Sequence, residues 1–403
     1  MKFQIKNYIA QSGERYSFLF APEDQGVPLF YPAVYVSRSL RENHTHQTQL
    51  VALDAIRRLS EWERDRGISL EDRLLAQTLL NAQEVDDLAG HMKARRSGKP
   101  GQTITPRKFN TYWGCVRSYI AWLTDELFPN ADDAAVRKLV EKQSERLKAK
   151  TLRRVGSSAR KRHALLNEKF TESAREVLIE LFASPFLGMS TATHRGTRLR
   201  NVVMARILYE TGMRRGELLS LKLRNFTESS GGQLPYLEVE RNHDDELDHR
   251  THQPVAKTQG RILAISYGLE EQIKQYRTEY RAEIQNVGFG DEDFLFCVHQ
   301  SGKTVGQALT VNGFNTAISY LKMKFPALGR NLHPHAFRHD FNYRFSLHAD
   351  QMGWTEAQEA EAREEVNGWA TGSDMAKVYN LRHRRERAME IGVKIARDTE
   401  RPV

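Results

Sequence analysis

Two arginines in the C-terminal half lie in segments that suit phosphate chemistry. Arg214 belongs to residues 209–221, Tyr-Glu-Thr-Gly-Met-Arg-Arg-Gly-Glu-Leu-Leu-Ser-Leu, and Arg338 to residues 333–339, His-Pro-His-Ala-Phe-Arg-His. A guanidinium is permanently charged, and its planar fork can bond two phosphate oxygens at once. Two such groups would stabilise the charge that develops when a phosphodiester breaks without a metal ion. Glu217, three residues after Arg214 on a predicted helix, can brace the Arg214 guanidinium.

Cleavage of this kind also requires a nucleophile and groups that move protons. His335 titrates near neutral pH and is a natural proton acceptor. Lys257, in the basic turn Ala-Lys-Thr-Gln-Gly-Arg at 256–261, is a candidate acid for the leaving oxygen, although lysines on exposed turns usually serve solubility. Tyr379 and Tyr343 each offer a phenol oxygen that can attack phosphorus and form a covalent intermediate, which stores the bond energy without ATP.

Trp369 and His339 are the remaining candidates near this site. Trp369, in Asn-Gly-Trp at 367–369, offers one indole N–H to a phosphate oxygen and a large apolar wall, and a pure core role is its alternative. His339, four residues after His335, is expected to pack or to form a hydrogen bond beside the site.

The histidines also raise a metal hypothesis. His335 and His339 are four residues apart, and His243, His249 and His252 share another loop. Zinc requires several convergent ligands, and neither a His-Glu-x-x-His motif nor a pair of closely spaced cysteines is present. We therefore expect no metal and no cofactor.

Four segments carry the candidate residues, and in chain order they are 209–221, 256–261, 333–339 and 367–369 with Tyr379. In this order they resemble the motifs of the tyrosine recombinase family, which includes phage integrases. The first is similar to its Thr-Gly-hydrophobic-Arg-x-x-Glu-Leu pattern, the third to its His-x-x-Arg-His box, and the fourth to its Gly-His/Trp box followed by the nucleophilic tyrosine. The resemblance covers roughly residues 45–395. Trp369 and Tyr379 are ten residues apart, one more than is usual, and Asn-Gly-Trp stands where Leu-Gly-His is commoner.

The resemblance implies an activity and a set of residue roles. The protein would be a site-specific recombinase or integrase that cleaves and rejoins DNA through a 3′-phosphotyrosine, with Tyr379 as the nucleophile and Lys257 as the acid. Its partners would be double-stranded DNA with a specific target site, three further copies in a tetramer, and accessory DNA-bending proteins. The C-terminal tail would pack on a neighbouring subunit or fold back on its own.

Composition supports a polyanionic partner. The chain has 403 residues with 60 Lys and Arg against 51 Asp and Glu, a net charge of +9 that attracts nucleic acid. No stretch approaches the roughly eighteen apolar residues of a membrane helix, so we expect no membrane partner. Cys115 and Cys297 are the only cysteines, and the first residues lack the features of a secretory signal. A bacterial cytoplasmic protein, associated with the nucleoid when bound, is the expectation.

Hydrophobic periodicity predicts a mainly α chain with a small β-sheet. Residues 1 to about 36 alternate as β-strands do, and helical spacing begins near residue 46. Leu50, Leu53, Ile56, Leu59 and Trp62 form one apolar stripe that ends at Gly67. A second stripe follows Pro106 and comprises Phe109, Trp113, Val116, Ile120 and Leu123, which we expect in a core rather than stacked on bases. In the second half, helices are predicted over 171–183, 198–210, 269–284 and beyond 335, and strands over 236–240 and 261–266.

Residues 137–162 form a basic segment. It has eleven Lys or Arg and two acids, an excess equal to that of the entire chain. A solvated helix face usually interleaves both signs, so we favour a linker that follows the DNA backbone, with a solvated face as the alternative. The candidate DNA-binding residues are Arg153, Arg154, Arg160, Lys161 and Arg162, together with Arg107 and Lys108.

The predicted organisation has four parts. They are a β-rich N-terminal appendage (1–44), a helical DNA-binding or core-binding domain (45–136), a basic linker (137–165) and a tyrosine-recombinase catalytic domain (166–403). Two other functions stay open: a type IB topoisomerase that relaxes one duplex, and a non-catalytic DNA-binding protein on a recombinase scaffold.

Overall fold

The computed structural model describes residues 2–96, 101–129, 133–152, 170–256, 259–370, 372 and 388–397. The chain divides into two compact units, Met1–Ser157 and Ser158–Val403.

The first unit begins with a β-hairpin. Strands β1 (Gln4–Ile9) and β2 (Arg15–Phe20) pair antiparallel, which confirms the β-rich start of the chain. The prediction of β-structure to residue 36 is wrong for its last part, because α1 (Phe30–Tyr35) is helical and runs into a π-helical turn, Val36–Leu40. Pro32 is tolerated in the first helical turn, where a backbone N–H would have no helical partner. Pro32, Tyr35 and Val36 are buried, so packing overrides the strand-like alternation.

Five more helices complete the described part of this unit. They are α2 (His46–Arg66), α3 (Leu70–Leu75), α4 (Ala82–Lys93), α5 (Pro106–Leu127) and α6 (Ala134–Ala149). The predicted stripe on α5 is confirmed, because its five members are at most 2% exposed. On α2, the stripe is fully buried at Leu53, Ile56, Leu59 and Trp62, and Leu50 at its start is partly buried. Gly67, with φ of 62°, ends α2 as predicted.

Helix α6 contains the first half of the basic segment. The Leu147 carbonyl accepts a hydrogen bond from Trp113 Nε1 at 2.8 Å, and Gln143 Oε1 accepts one from the Leu80 N–H at 2.8 Å. Leu147 and Gln143 are buried. Residues 137–149, which were predicted to begin a linker, therefore lie in a helix that packs on the first unit. Arg153, Arg154, Arg160, Lys161 and Arg162 lie outside the described residues.

The second unit is mainly helical with a small sheet. Its described helices are α7 (Glu172–Ala183), α8 (Arg195–Thr211), α9 (Arg215–Ser220), α10 (Tyr267–Gln275), α11 (Val311–Lys324), α12 (Pro334–Gln351) and α13 (Glu356–Asn367), and residues 388–397 are helical. A π-helical turn, Tyr276–Arg281, extends α10. Strands β3 (Phe226–Thr227), β4 (Tyr236–Val239) and β5 (Arg261–Ala264) form an antiparallel sheet in that order. The predicted fold class is confirmed.

Helix α8 is the centre of this unit. Leu199, Val203, Ile207 and Leu208 are fully buried among residues of the surrounding helices and strands. Such an interior helix gives the segments at its C-terminal end a fixed support. Among the described residues, no helix is long and apolar enough to cross a membrane.

Candidate active site

Arg214 lies in the sharp turn between α8 and α9. Gly212 ends α8 with φ of 64°, a left-handed conformation that favours glycine, and the chain then turns into α9 directly after Arg214. The carboxylate of Glu217 accepts hydrogen bonds from the Arg214 backbone N–H at 2.8 Å and from its Nη1 at 3.2 Å. The Glu217 side chain is 0% exposed and that of Arg214 is 34% exposed. The expected brace is thus present, and the arginine keeps a solvent-facing edge.

Arg338 connects three of the four sequence motifs. It is buried on α12, its Nη1 donates to the Gly212 carbonyl at 2.9 Å, and its Nη2 donates to the Asn367 carbonyl at 3.4 Å. Its guanidinium carbon also lies 5.4 Å from the centre of the Trp369 ring. Because Gly212 is two residues from Arg214, these contacts bring both arginines and Trp369 to one place in the second unit.

His335 lies in the first turn of α12 and is exposed. The His335 and His339 rings meet edge to face, with centroids 4.3 Å apart. The pKa of His335 is lowered by partial loss of solvent around its ring, and further by the positive charges of Arg338, His333 and Arg214. A lowered pKa keeps the imidazole neutral at pH 7, so His335 can accept a proton. His333 caps the helix, since its Nδ1 accepts from the Ala336 N–H at 3.1 Å.

Trp369 is the second residue after α13. Gly368 ends that helix with φ of 62°, and the Trp369 N–H donates to the Glu364 carbonyl at 2.9 Å. The indole is 7% exposed and packs against Ala360 and Arg338. The structure therefore places Trp369 as a wall behind Arg338.

A buried polar network behind Arg338 was not predicted. Asn342 Nδ2 donates to the Arg338 carbonyl at 2.9 Å and to Asn367 Oδ1 at 3.3 Å, and Asn367 Nδ2 donates to the Arg363 carbonyl at 2.9 Å. Arg363 Nη1 donates to the Asn342 carbonyl at 3.1 Å. Arg338, Asn342 and Ser346 recur every four residues on α12, and such a polar stripe in a long helix was the available signal. The network joins α12 to α13 and so fixes the carbonyl that Arg338 contacts.

The loop that contains Lys257 is anchored on both sides, although Lys257 itself lies outside the described residues. The Ala256 N–H donates to Asn242 Oδ1 at 2.8 Å, and the Gln259 N–H approaches the Gly368 carbonyl at 3.4 Å. A Cβ at Gly216 would lie 2.7 Å from the Val255 carbonyl oxygen, so only glycine permits this close approach to α9. Asn242, which sequence reasoning missed, fixes the start of this loop through Ala256 and Pro254.

Arg261, the last residue of the basic turn 256–261, has a role that the sequence did not predict. Its Nη2 donates to Glu217 Oε2 at 2.8 Å and its Nε donates to the Val366 carbonyl at 2.7 Å. Its side chain is 2% exposed. The only sequence signal was a basic residue at the first position of a predicted strand.

The remaining candidates contact a residue outside this cluster, belong to the first unit, or lie outside the described residues. Tyr379 lies outside the described residues. Tyr343 is partly buried on α12, with the Arg175 guanidinium carbon 5.7 Å from its ring centre. Arg107 and Lys108 are exposed in the first turn of α5 in the other unit. Within the described ranges there is no cluster of three or more His, Cys, Asp or Glu that could hold a metal ion.

Gly212→Ala should destabilise the second unit more than a comparable glycine substitution does. A Cβ there would lie 2.4 Å from Phe341 Cδ1, whereas Gly353, which also has positive φ (71°), has nothing within 4 Å of the corresponding position. For Gly353→Ala we expect the free energy of unfolding to fall by about 1 kcal/mol, from the left-handed backbone alone. For Gly212→Ala we expect it to fall by about 3 kcal/mol, because the Phe341 ring must also move. Urea denaturation of both variants measures the difference. Equal losses of unfolding free energy in the two variants would show that the Phe341 ring moves aside without an energetic cost.

The chain resembles known integrases and recombinases. Residues 188–360 match the model of the phage integrase family. The fold is similar to that of the XerH site-specific recombinase bound to difH substrate in a pre-cleavage complex, with a TM-score of 0.51 and 16% identity over 86% of this chain and 81% of that one. It is also similar to the Tn1549 transposon integrase in complex with transposon right end DNA, with a TM-score of 0.50 and 15% identity over 88% of this chain and 96% of that one. No curated protein matches the chain.

Proposed function

We propose that the protein is a site-specific DNA recombinase that acts through a covalent 3′-phosphotyrosine, since residues 188–360 match the model of the phage integrase family. The observation that carries the proposal is the convergence of Arg214 and Arg338. Arg338 bonds to the carbonyl two residues before Arg214, and Glu217 holds the Arg214 guanidinium from behind.

The proposed first step is attack of the Tyr379 phenol oxygen on phosphorus. The bond to the 5′ oxygen breaks, and the new bond joins the 3′ phosphate to the tyrosine. His335 accepts the phenol proton, and Lys257 supplies the proton that leaves with the 5′ hydroxyl. Arg214 and Arg338 stabilise the charge on the non-bridging oxygens. A 5′ hydroxyl from a second duplex then attacks the phosphotyrosine by the reverse route and releases Tyr379.

A substrate with a nick close to the scissile phosphate tests the function. The short fragment that carries the 5′ hydroxyl diffuses away, so a phosphotyrosine enzyme accumulates covalently linked DNA. We expect this adduct and, on unnicked substrates, products that join two DNA molecules. Relaxation of supercoils without joined products would favour a topoisomerase, and binding with neither product would favour a non-catalytic DNA-binding protein.

The partners follow from the same proposal. Strand exchange between two duplexes requires four protomers on DNA, so the protein would act as a tetramer at a specific target site, with accessory DNA-bending proteins as further candidates. The tetramer can be tested by sizing the protein with and without two equivalents of target duplex.

Lys257→Ala should slow cleavage strongly on ordinary DNA and much less on DNA whose leaving 5′ oxygen is replaced by sulfur. A thiolate leaves without a proton, so the loss of the acid then matters little. We expect a defect of about 10²-fold or more on oxygen and under about tenfold on sulfur. Lys303→Ala, at an exposed lysine of the same unit, is the control. Equal defects on both substrates would show that Lys257 is not the acid.

Residues 153–162 are proposed to follow the DNA backbone. Changing Arg153, Arg154, Arg160, Lys161 and Arg162 together to Gln should weaken binding equally on target and random DNA, because phosphate contacts carry no sequence information. The slope of log affinity against log salt should fall by about 0.9 for each phosphate that is no longer neutralised. A salt titration on both duplexes measures this. An unchanged slope would identify the segment as a solvated surface.

A further inference from the structure

The Glu217 carboxylate is shared between two arginines. Its oxygens accept from Arg214 Nη1 at 3.2 Å and from Arg261 Nη2 at 2.8 Å. The Arg261 side chain is 2% exposed, so it is removed from any DNA, whereas Arg214 is 34% exposed. The two guanidiniums thus have different positions around one anion: Arg214 at the surface and Arg261 behind it.

The charges of this group determine what Arg214 can offer to a phosphate. The charges of the Glu217 carboxylate and the Arg214 guanidinium sum to zero. A buried carboxylate close to Arg214 would therefore weaken the attraction of Arg214 for a phosphate. With Arg261 included, the group of three side chains carries one net positive charge. A fully buried carboxylate also needs strong compensation by positive charge, and Arg261 supplies part of that compensation from a buried position.

Arg261 also joins segments that are far apart in the chain. Its Nε donates to the Val366 carbonyl at 2.7 Å, three residues before Trp369. It is the first residue of β5, four residues after Lys257. One buried side chain therefore connects the Arg214 turn, the strand that follows the Lys257 loop, and the end of α13.

We propose that Arg261 is a positioning residue of the active site: it neutralises Glu217 so that Arg214 keeps a net positive charge for the scissile phosphate, and it holds α13 against the Arg214 turn. The role toward the phosphate rests on the proposed function. The electrostatic role concerns the protein alone and can be measured without cleavage.

The test compares Arg261→Met and Arg261→Lys with Arg250→Met. Arg250 is another buried arginine of the same unit, bonded instead to Asp248 and to the Leu219 and Leu309 carbonyls. Thermal denaturation should show comparable losses for the two methionine variants. In single-turnover cleavage on the nicked substrate, only Arg261→Met should be slowed, by about 30-fold or more. Arg261→Lys, which keeps the charge, should recover most of that loss.

A neutral phosphate distinguishes charge from general disorder. In a methylphosphonate, one non-bridging oxygen is replaced by a methyl group, so less positive charge is needed. We expect the defect of Arg261→Met relative to wild type to shrink at least about tenfold on this substrate. A defect of the same size on both substrates, or an equal slowing by Arg250→Met, would overturn the electrostatic role.

A measurement on the free protein separates the electrostatic role from activity. Arg214 is one of the charges that lower the pKa of His335. If Arg261→Met leaves Glu217 uncompensated, the His335 pKa should rise by more than the scatter between repeat titrations, and it should stay unchanged in Arg250→Met. NMR titration of the full-length chain without DNA measures both. An unchanged His335 pKa in Arg261→Met would contradict the inference, whereas a wild-type protein that never forms an adduct would contradict the proposed function alone.

Discussion

Tyr379→Phe should form no covalent adduct with a nicked target substrate while it binds that DNA almost as well as the wild-type protein does. The substitution removes a single oxygen, the one proposed to attack phosphorus, and leaves the ring in place. We expect the adduct to fall below detection and the dissociation constant to change by no more than about threefold, the value of one hydrogen bond. Denaturing gels measure the adduct, and a gel-shift titration measures the affinity.

Tyr343→Phe is the matched control for that experiment. Tyr343 lies on the helix that carries His335 and Arg338, and Arg175 packs over its ring. The ring contact survives the removal of the hydroxyl, so this variant should retain cleavage. The reverse outcome, in which Tyr379→Phe cleaves and Tyr343→Phe does not, would exchange the roles of the two tyrosines.

Arg214→Gln should reduce the rate of cleavage by about 10³-fold with little change in DNA affinity. The guanidinium stabilises charge that is greatest in the transition state, and removing one such donor from an active site typically costs about 10²–10³ in rate. Glu217 would also be left with one cationic partner fewer and would repel the phosphate. Single-turnover kinetics at saturating protein separates this effect from binding.

The neighbouring Arg215 supplies the control for Arg214→Gln. Arg215 Nη1 donates to Asn315 Oδ1 at 3.0 Å on α11, so it points to a different helix. Arg215→Gln should change the cleavage rate by no more than about threefold, as expected for a partly exposed side chain with one such contact. Similar losses for the two variants would mean that the basic pair acts only by its overall charge.

The elements could be predicted where their own periodicity decides the structure. Helices α2 and α5 bury most of the apolar stripes that their sequences show, and Gly67 ends α2 because a left-handed residue suits glycine. The sequence was misleading where packing overrides the local pattern. Residues 30–35 were predicted to continue the β-structure, yet they form a helix that buries Pro32 and Tyr35. Residues 137–149 are strongly basic, yet Leu147 anchors them to Trp113.

The candidate site could be predicted only for residues that belong to a recognisable motif. Arg261 contacts Glu217 and Val366, which are 44 and 105 residues away in the chain. Contacts over such separations produce no pattern in the local sequence. Asn242 is similar, because an asparagine in a loop has no recognisable role until folding brings its partner close, and Asn367 lies in the fourth motif but its contact with Asn342 could not be predicted. The reactive residues of the motifs were found from the sequence, but the roles of the residues that hold them in place depend on tertiary contacts.

The most direct test of the central claim is to identify the amino acid that becomes joined to DNA. Wild-type protein would be incubated with the nicked substrate in EDTA, digested with a protease and a nuclease, and the modified peptide sequenced by mass spectrometry. We predict a nucleotide on Tyr379, attached through its 3′ phosphate and formed at an undiminished rate in the chelator, since arginines rather than a metal carry the transition-state charge. An adduct on Tyr343 or any other residue, or cleavage that stops in EDTA and returns with added zinc or magnesium, would contradict this mechanism.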